Sequence, residues 1–271
     1  MVTGMPVLVT GAPSQLGDRV IDHLRSSGGE VRAYLDATVA TDDDAARLRA
    51  AGCKVALGEL DDEGRLERAL EQVHTVAHCW TGPLHDPAAQ VEVAATVGSA
   101  LLGASVRRLI WVRELAHDGR NPYLAAHAEI GELFHALPLQ TVMLATGLRV
   151  GSDDRFTDRL RAGWLSGTAV VADALHAPVH IDDVARAVAV ADRQRGSGHE
   201  LHAQLALVGP ERITLETFLR RLGAPPLAAP RPPELAPPAD WVVDWLSRPA
   251  SDDTVGDGMT LAHGVNRLAG V

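Results

Sequence analysis

The sequence predicts an α/β fold built on a doubly wound parallel sheet, with a smaller and less regular C-terminal region. Three observations predict it. Apolar bursts alternate with helical stretches through the first half of the chain, the pattern of a parallel sheet covered by helices. The segment Val7-Leu8-Val9-Thr10-Gly11-Ala12-Pro13-Ser14-Gln15-Leu16-Gly17 joins a buried strand to a helix through a glycine turn. An acidic residue, Asp36, closes the next strand 19 residues after Gly17.

Strands are expected at Val7–Thr10, Val31–Leu35, Lys54–Leu57, Thr75–Cys79, Leu109–Val112 and Thr141–Leu144. The helices between them end at glycines such as Gly28, Gly52 and Gly103. Leu16, Val20, Ile21 and Leu24 recur near the helical period and give the first helix one apolar face. The Asp42–Asp44 run reads as a solvated helix start, because acids favour a helix N-terminus.

After Gly151 the spacing predicts a helix carrying Phe156, Leu160 and Trp164, then a short strand over Ala169–Val171. Asp182 is expected to cap a helix buried through Val184, Ala187, Val188 and Ala191. Thr214 opens another, carrying Leu215, Phe218, Leu219 and Leu222 and closed by Gly223. Pro225 to Pro238 is rich in Pro and Ala and reads as an extended crossing. Asp240–Leu246 forms a last short helix with Trp241 and Trp245 packed along it. Residues 5–150 are expected to form the dinucleotide-binding region and 151–271 a substrate-binding region, within one integrated domain.

Composition narrows the function. The chain of 271 residues is 46% hydrophobic and 22% charged, that of a globular protein with ample core. A net charge of −10 and the lack of any Lys/Arg block argue against a nucleic-acid partner. No stretch approaches the roughly 18 apolar residues of a membrane span. Met1 to Pro6 lacks a basic n-region, so no signal peptide is expected. Cys53 and Cys79 are too few for a disulfide framework, which points to a reduced, cytoplasmic setting.

The turn at Gly11 carries the chemistry. A glycine there lets the backbone reverse tightly, and the following helix N-terminus offers N–H groups and partial positive charge to a pyrophosphate. Gly17 lets the helix pack close to the sheet, and Asp36 can accept from a ribose hydroxyl. These are the marks of a Rossmann-type site for NADH or NADPH.

At these residues the sequence resembles the atypical, NmrA-like branch of the short-chain dehydrogenase/reductase superfamily, which usually reads Thr-Gly-Ala-Thr-Gly-x-Leu-Gly at the turn. The resemblance continues at Gly58-Glu59-Leu60-Asp61, at Pro122-Tyr123-Leu124-Ala125-Ala126-His127-Ala128-Glu129 and at His180-Ile181-Asp182-Asp183-Val184-Ala185. It spans about residues 5 to 223. It implies cofactor contacts from Thr10, Gly11, Ser14, Gln15, Leu16, Gly17, Asp36, Glu59, Leu60, Cys79, Trp80, Thr81 and His127, and a catalytic role for Tyr123 with His127.

Three departures qualify that. Ser14 replaces the middle glycine; its hydroxyl can donate to the phosphates. Asp36 stands where NADP-using members place a basic residue and repels a 2′-phosphate, which favours NADH. Arg32, Arg47 and Arg49 lie near enough in sequence to keep NADPH open. The third is catalytic. The family's serine after the fifth strand is absent, the strand ending Val112-Arg113-Glu114, and its Tyr-x-x-x-Lys pair is Tyr123 and His127. A largely neutral histidine lowers a phenol's pKa much less than lysine does.

Two readings stay open. One is an NAD(P)H-dependent ketoreductase acting on a bulky, aromatic ketone, as in polyketide tailoring and antibiotic biosynthesis. There a phenol beside the ketone can stabilise its own alkoxide, and the segment from Pro225 with the helix after it forms a substrate wall or lid. The other is a non-catalytic dinucleotide sensor that reports redox state to a partner. No metal is expected: His74 and His78 on a strand lie about 13 Å apart, too far for one zinc ion, and His176 with His180 meets the same objection. Trp80 stands to stack on the nicotinamide or to line the pocket, and Trp164 reads as core.

Overall fold

The computed structural model describes residues 5–80, 86–115, 121–152, 154–194 and 202–248. In chain order, β1 (Val7–Ala12), α1 (Gln15–Ser26), β2 (Val31–Asp36), α2 (Asp42–Ala50), β3 (Lys54–Gly58), α3 (Glu63–Leu70) and β4 (Thr75–His78) come first. Next are α4 (Pro87–Gly103), β5 (Arg108–Glu114), α5 (Pro122–His135), β6 (Gln140–Thr146), β7 (Arg149–Val150), α6 (Arg155–Arg161), β8 (Leu175–His176) and β9 (Val179–His180). Last are α7 (Ile181–Arg193), β10 (His202–Leu207), β11 (Ile213–Thr214), α8 (Leu215–Leu222) and α9 (Asp240–Leu246).

Seven strands make one sheet in the order β10-β6-β5-β4-β1-β2-β3. β1 is parallel to both β2 and β4, β2 to β3, and β4 to β5. The six expected strands are all present, each somewhat longer than expected except Thr75–Cys79, which stops at His78. They were legible because parallel strands are buried on both faces and read as continuous apolar runs.

The chain divides into two compact units: residues 1–113, 126–144 and 184–204, and residues 114–125, 145–183 and 205–271. In the first, α1 buries Leu16, Val20, Ile21 and Leu24, each contributing about 1.5–3 kcal/mol. α2 is opened by a capping box in which Thr41 and Asp44 satisfy each other's backbone amides, so the acidic run is a helix start. Buried Arg108 is satisfied by Gln140 Oε1 at 2.7 Å and the Ala191 carbonyl at 2.6 Å.

The second unit has its own core of Leu148, Leu160, Trp164, Phe218 and Leu246 with their neighbours. α8 is capped by Thr214 and closed by Gly223 in the left-handed region. Three expectations are corrected here. The helix carrying Phe156 ends at Arg161, because Gly163 takes a positive φ; Trp164 lies beyond it, edge-on to Phe156, with Nε1–H donating to the Ala236 carbonyl at 3.0 Å. Ala169–Val171 is no strand: Val171 is exposed, and its carbonyl accepts from Ala174 N–H across a turn. The strand there is β8, antiparallel to β11. Asp182 does not cap α7, which begins at Ile181; the Asp182 amide donates to His180 Nδ1, and the carboxylate sits in the first turn.

Candidate functional site

In the first unit the turn between β1 and α1 is built against the end of β4. Gly11 has φ +89°, and a Cβ there would meet the Cys79 carbonyl carbon and the Trp80 nitrogen at 2.6 Å. A Cβ on Gly17 would meet the Gly11 oxygen at 2.7 Å. Only glycine allows these approaches. Thr10 joins the same corner: its carbonyl accepts from Cys79 N–H at 3.2 Å, and its Oγ1 lies 2.8 Å from His78 Nδ1. His78 is fully enclosed, and burial pushes its pKa down to about 4, so the ring is neutral near pH 7.

Ser14 is exposed and caps α1, its Oγ accepting from Gly17 N–H at 3.1 Å; the hydroxyl proton is left to donate outward. The Gln15 and Leu16 amides have no partner within the helix, as in any first turn. Gln15 Oε1 is buried with no hydrogen-bond partner among the described residues, and the Leu16 side chain is spent in the core. A cradle that any Cβ would fill, open helix amides and an orphaned buried acceptor fit a pyrophosphate with its ribose.

Asp36 is half-buried at the end of β2, and its Oδ1 accepts from Thr38 N–H and Oγ1–H at 2.9 and 2.7 Å. Arg32 is corrected as a phosphate contact: its guanidinium donates to the Ala69 and Glu71 carbonyls and to Glu30. Arg47 is held by Asp18 at 2.8 Å, whereas Arg49 is exposed on α2. Glu59 is exposed and its carbonyl accepts from Tyr34 Oη–H at 2.9 Å; Leu60 is buried in the core, which leaves only its backbone for an adenine. Cys79 is buried, and Trp80 is half-buried with its ring 6.5 Å from that of His78. Thr81 lies outside the described residues. His127 is buried beside Trp111, ring centroids 5.9 Å apart.

In the second unit Tyr123 stands in the first turn of α5, whose start is fixed by Asn121. Asn121 Oδ1 accepts from the Tyr123 and Leu124 amides at 3.0 and 3.2 Å, and Nδ2–H donates to Asp244 Oδ2 at 2.8 Å. Tyr123 is enclosed, and burial pushes its pKa far above the ordinary tyrosine value; Glu114 adds to that and Arg149 opposes it. Glu114, at the end of β5, pairs with Arg149 of β7. Burial lifts the Glu114 pKa against the pull of Arg149.

Sequence reasoning noted Glu114 only as a missing serine and did not single out Arg149. The signal was present: an acid ending a strand of buried residues needs a buried cation. α9 closes this region. His176 Nε2–H donates to the Leu246 carbonyl at 2.9 Å, and Trp245 and Arg248 line a small pocket with Leu115, Thr146, Leu148 and His176. Its enclosed space is about 20 Å³, near one water. The Trp241 side chain lies outside the described ones. No cluster of three or more metal-ligating residues occurs among the described residues, and none of their helices is long and apolar enough to cross a membrane.

The fold is similar to solved NAD-binding structures. The Bordetella bronchiseptica enzyme WbmG in complex with NAD aligns at TM-score 0.69 and 19% identity, over 99% of this chain and 93% of that one. A UDP-glucose 4-epimerase from Thermus thermophilus, complexed with NAD, aligns at 0.64 and 18%, over 85% and 88%. DesIV, a dTDP-glucose 4,6-dehydratase from Streptomyces venezuelae with NAD and TYD bound, aligns at 0.62 and 19%, over 82% of each. At such identities the likeness is one of fold, that of the NAD-dependent epimerases and dehydratases. No curated protein matches the sequence. The cofactor that suits this fold and cradle is a nicotinamide dinucleotide, NADH or NADPH. Residues 4–145, just over half of the chain, match the NmrA-like family, and the chain belongs to that family.

Proposed function

We propose that this protein is an NAD(P)H-dependent ketoreductase that reduces a bulky, aromatic ketone, such as a polyketide quinone, to an alcohol. The observation that carries the reading is the intact cradle: Gly11 and Gly17 pinned at backbone contact, with Gln15 Oε1 buried beside them and unpartnered among the described residues. Gly11, Ser14 and Gln15 would hold the pyrophosphate, with Thr10 and Gly17 shaping the turn from within, and Asp36 and Glu59 the adenosine. Cys79, Trp80, Thr81 and His127 are assigned to the nicotinamide half. Asp36 at the ribose, with Arg32 and Arg47 tied elsewhere, favours NADH. Two buried cysteines outside any disulfide, Cys53 and Cys79, suit a cytoplasmic setting.

Bound NAD(P)H supplies hydride. The protein's part is to bind, orient and exclude water, because its Tyr123 phenol is a poor acid as it stands. That favours a ketone whose neighbouring phenol stabilises the developing alkoxide. Residues 151–271 serve as the substrate region, with Trp245 and Arg248 of the α9 segment as part of its wall.

The second reading, a non-catalytic dinucleotide sensor, is favoured by the burial of Tyr123. Turnover separates the two. The protein is mixed with NADH or NADPH and a panel of polycyclic ketones with and without a neighbouring phenol, and loss of the reduced-cofactor absorbance is followed. Oxidation of cofactor with phenol-bearing ketones is expected. Clear cofactor binding with no turnover on any ketone leaves the sensor.

A further inference from the structure

Asp18 and Arg47 tie together α1 and α2, both within the first unit. Asp18 lies in the first turn of α1, its amide donating to the Ser14 carbonyl at 2.9 Å. Arg47 lies in α2, the helix that follows Asp36 and the end of β2. One Nη of Arg47 donates to Asp18 Oδ2 at 2.8 Å and stands 3.7 Å from Asp44 Oδ1. Asp44 is occupied by the helix cap: its Oδ2 accepts from Thr41 N–H and Oγ1–H at 3.0 and 2.7 Å. Asp18 is half-buried, and its Oδ1 is enclosed with no hydrogen-bond partner among the described residues. Burial lifts the Asp18 pKa and Arg47 pulls it back, so this carboxylate leans on that arginine.

The pair stands beside the place where the two cofactors differ. NADPH carries a phosphate where NADH has the 2′-hydroxyl of the adenosine ribose. Asp36 is placed to accept from that hydroxyl, and an arginine nearby is what accommodates a phosphate there. α1 and α2 each follow one of two parallel strands, so both start at the same edge of the sheet. By helix rise Asp18 lies about 4.5 Å along α1 and Arg47 about 7.5 Å along α2, within an arginine's length of that edge. Arg49 is two residues on, about 200° round the helix, and faces away from α1.

We propose that Asp18 determines cofactor choice: it holds Arg47 back from the 2′-phosphate and so makes the site select NADH. With the pair closed, a phosphate at the ribose meets the Asp36 carboxylate while Arg47 stays with Asp18. With the pair open, the Arg47 guanidinium turns to the ribose and takes the phosphate in a charge-assisted contact. Asp18 acts through Arg47 and touches neither cofactor. The proposal rests on the placement of the adenosine at Asp36 and is independent of the ketone.

Binding of the two cofactors to the full chain tests it without turnover. NADH and NADPH are titrated into the parent, Asp18→Ala, Arg47→Met and the double variant, followed by fluorescence of the reduced nicotinamide. Thermal unfolding checks that each variant is folded. The parent should prefer NADH. Asp18→Ala should raise NADPH affinity relative to NADH by at least about tenfold, the worth of one charge-assisted hydrogen bond. Arg47→Met alone should keep the ratio near the parent's, because that arginine is already withheld. Added to Asp18→Ala, Arg47→Met should abolish the gain, whereas Arg49→Met should preserve it. Should Asp18→Ala fail to fold, the isosteric Asp18→Asn is read in its place.

A ratio unmoved in the folded Asp18 variant overturns the proposal, as does a parent that prefers NADPH. So does a gain that survives in Asp18→Ala/Arg47→Met, which would come from the lost carboxylate alone. A parent that binds neither cofactor overturns the assignment of the nucleotide turn itself, so the two failures are distinguishable.

Discussion

Thr10 Oγ1 and His78 Nδ1 lie 2.8 Å apart and tie the end of β1 to the end of β4, one residue before the turn glycine. The bond places a neutral histidine under the nucleotide cradle, with Phe134 edge-on to its ring at 5.8 Å. Its pKa is pushed down to about 4 by burial, against about 6.5 unfolded. The unfolded chain therefore binds the extra proton first. The stability due to neutral His78 is complete above about pH 6.5 and is lost as the pH falls towards 4. Urea midpoints of the parent and His78→Gln between pH 7 and 4 should converge on acidification. The pH-dependent difference should amount to as much as about 3 kcal/mol. Parallel curves would refute it.

Gly11→Ala forces a Cβ to 2.6 Å from the Cys79–Trp80 backbone and an L residue to φ +89°. The backbone conformation alone costs about 1–2 kcal/mol, and the clash adds to it. Thermal unfolding should shift down, and NADH binding, followed by its fluorescence, should weaken at least tenfold. Gly17→Ala should act in the same direction, through the Gly11 carbonyl at 2.7 Å.

Asp36→Asn should change cofactor choice more than stability, because the half-exposed carboxylate serves mainly the local turn with Thr38. Loss of the charge should narrow the preference for NADH over NADPH about tenfold, roughly 1.4 kcal/mol. Titration of both cofactors into parent and variant measures it. An unchanged ratio would mean that the 2′-position lies away from Asp36.

Asn121 both caps α5 and holds Asp244, whose carboxylate is kept below the usual range by Arg248 first and by Asn121 as well. Asn121→Ala should cost about 1–2 kcal/mol. It should also speed hydrogen exchange in α9 while leaving α8 protected. Equal protection of α9 in parent and variant would show that His176 and the Val171–Ser247 bond hold the helix without it.

The site was legible where chemistry is local and dark where it is not. Thr10 to Gly17 could be read because turn, cap and helix lie within one short segment. Leu60 could not be placed, since only packing decides whether a leucine meets adenine or core, and here it is core. β10 went unread because its sequence, His-Ala-Gln-Leu-Ala-Leu, alternates and only Leu207 is fully buried. Arg32 looked available in sequence, but the carbonyls that engage it come from α3 and the residue just after it.

Hydrophobic period, turn glycines and helix caps by themselves determined six of the sheet's seven strands, the helices between them and the place of the nucleotide turn, because each is a property of neighbouring residues. Tertiary structure alone decided the partners of the buried polar groups. Thr10 meets His78 across 68 residues, and Glu114 meets Arg149 across 35. A buried charge or ring nitrogen must find a partner wherever the fold brings one, and sequence spacing carries no record of that meeting.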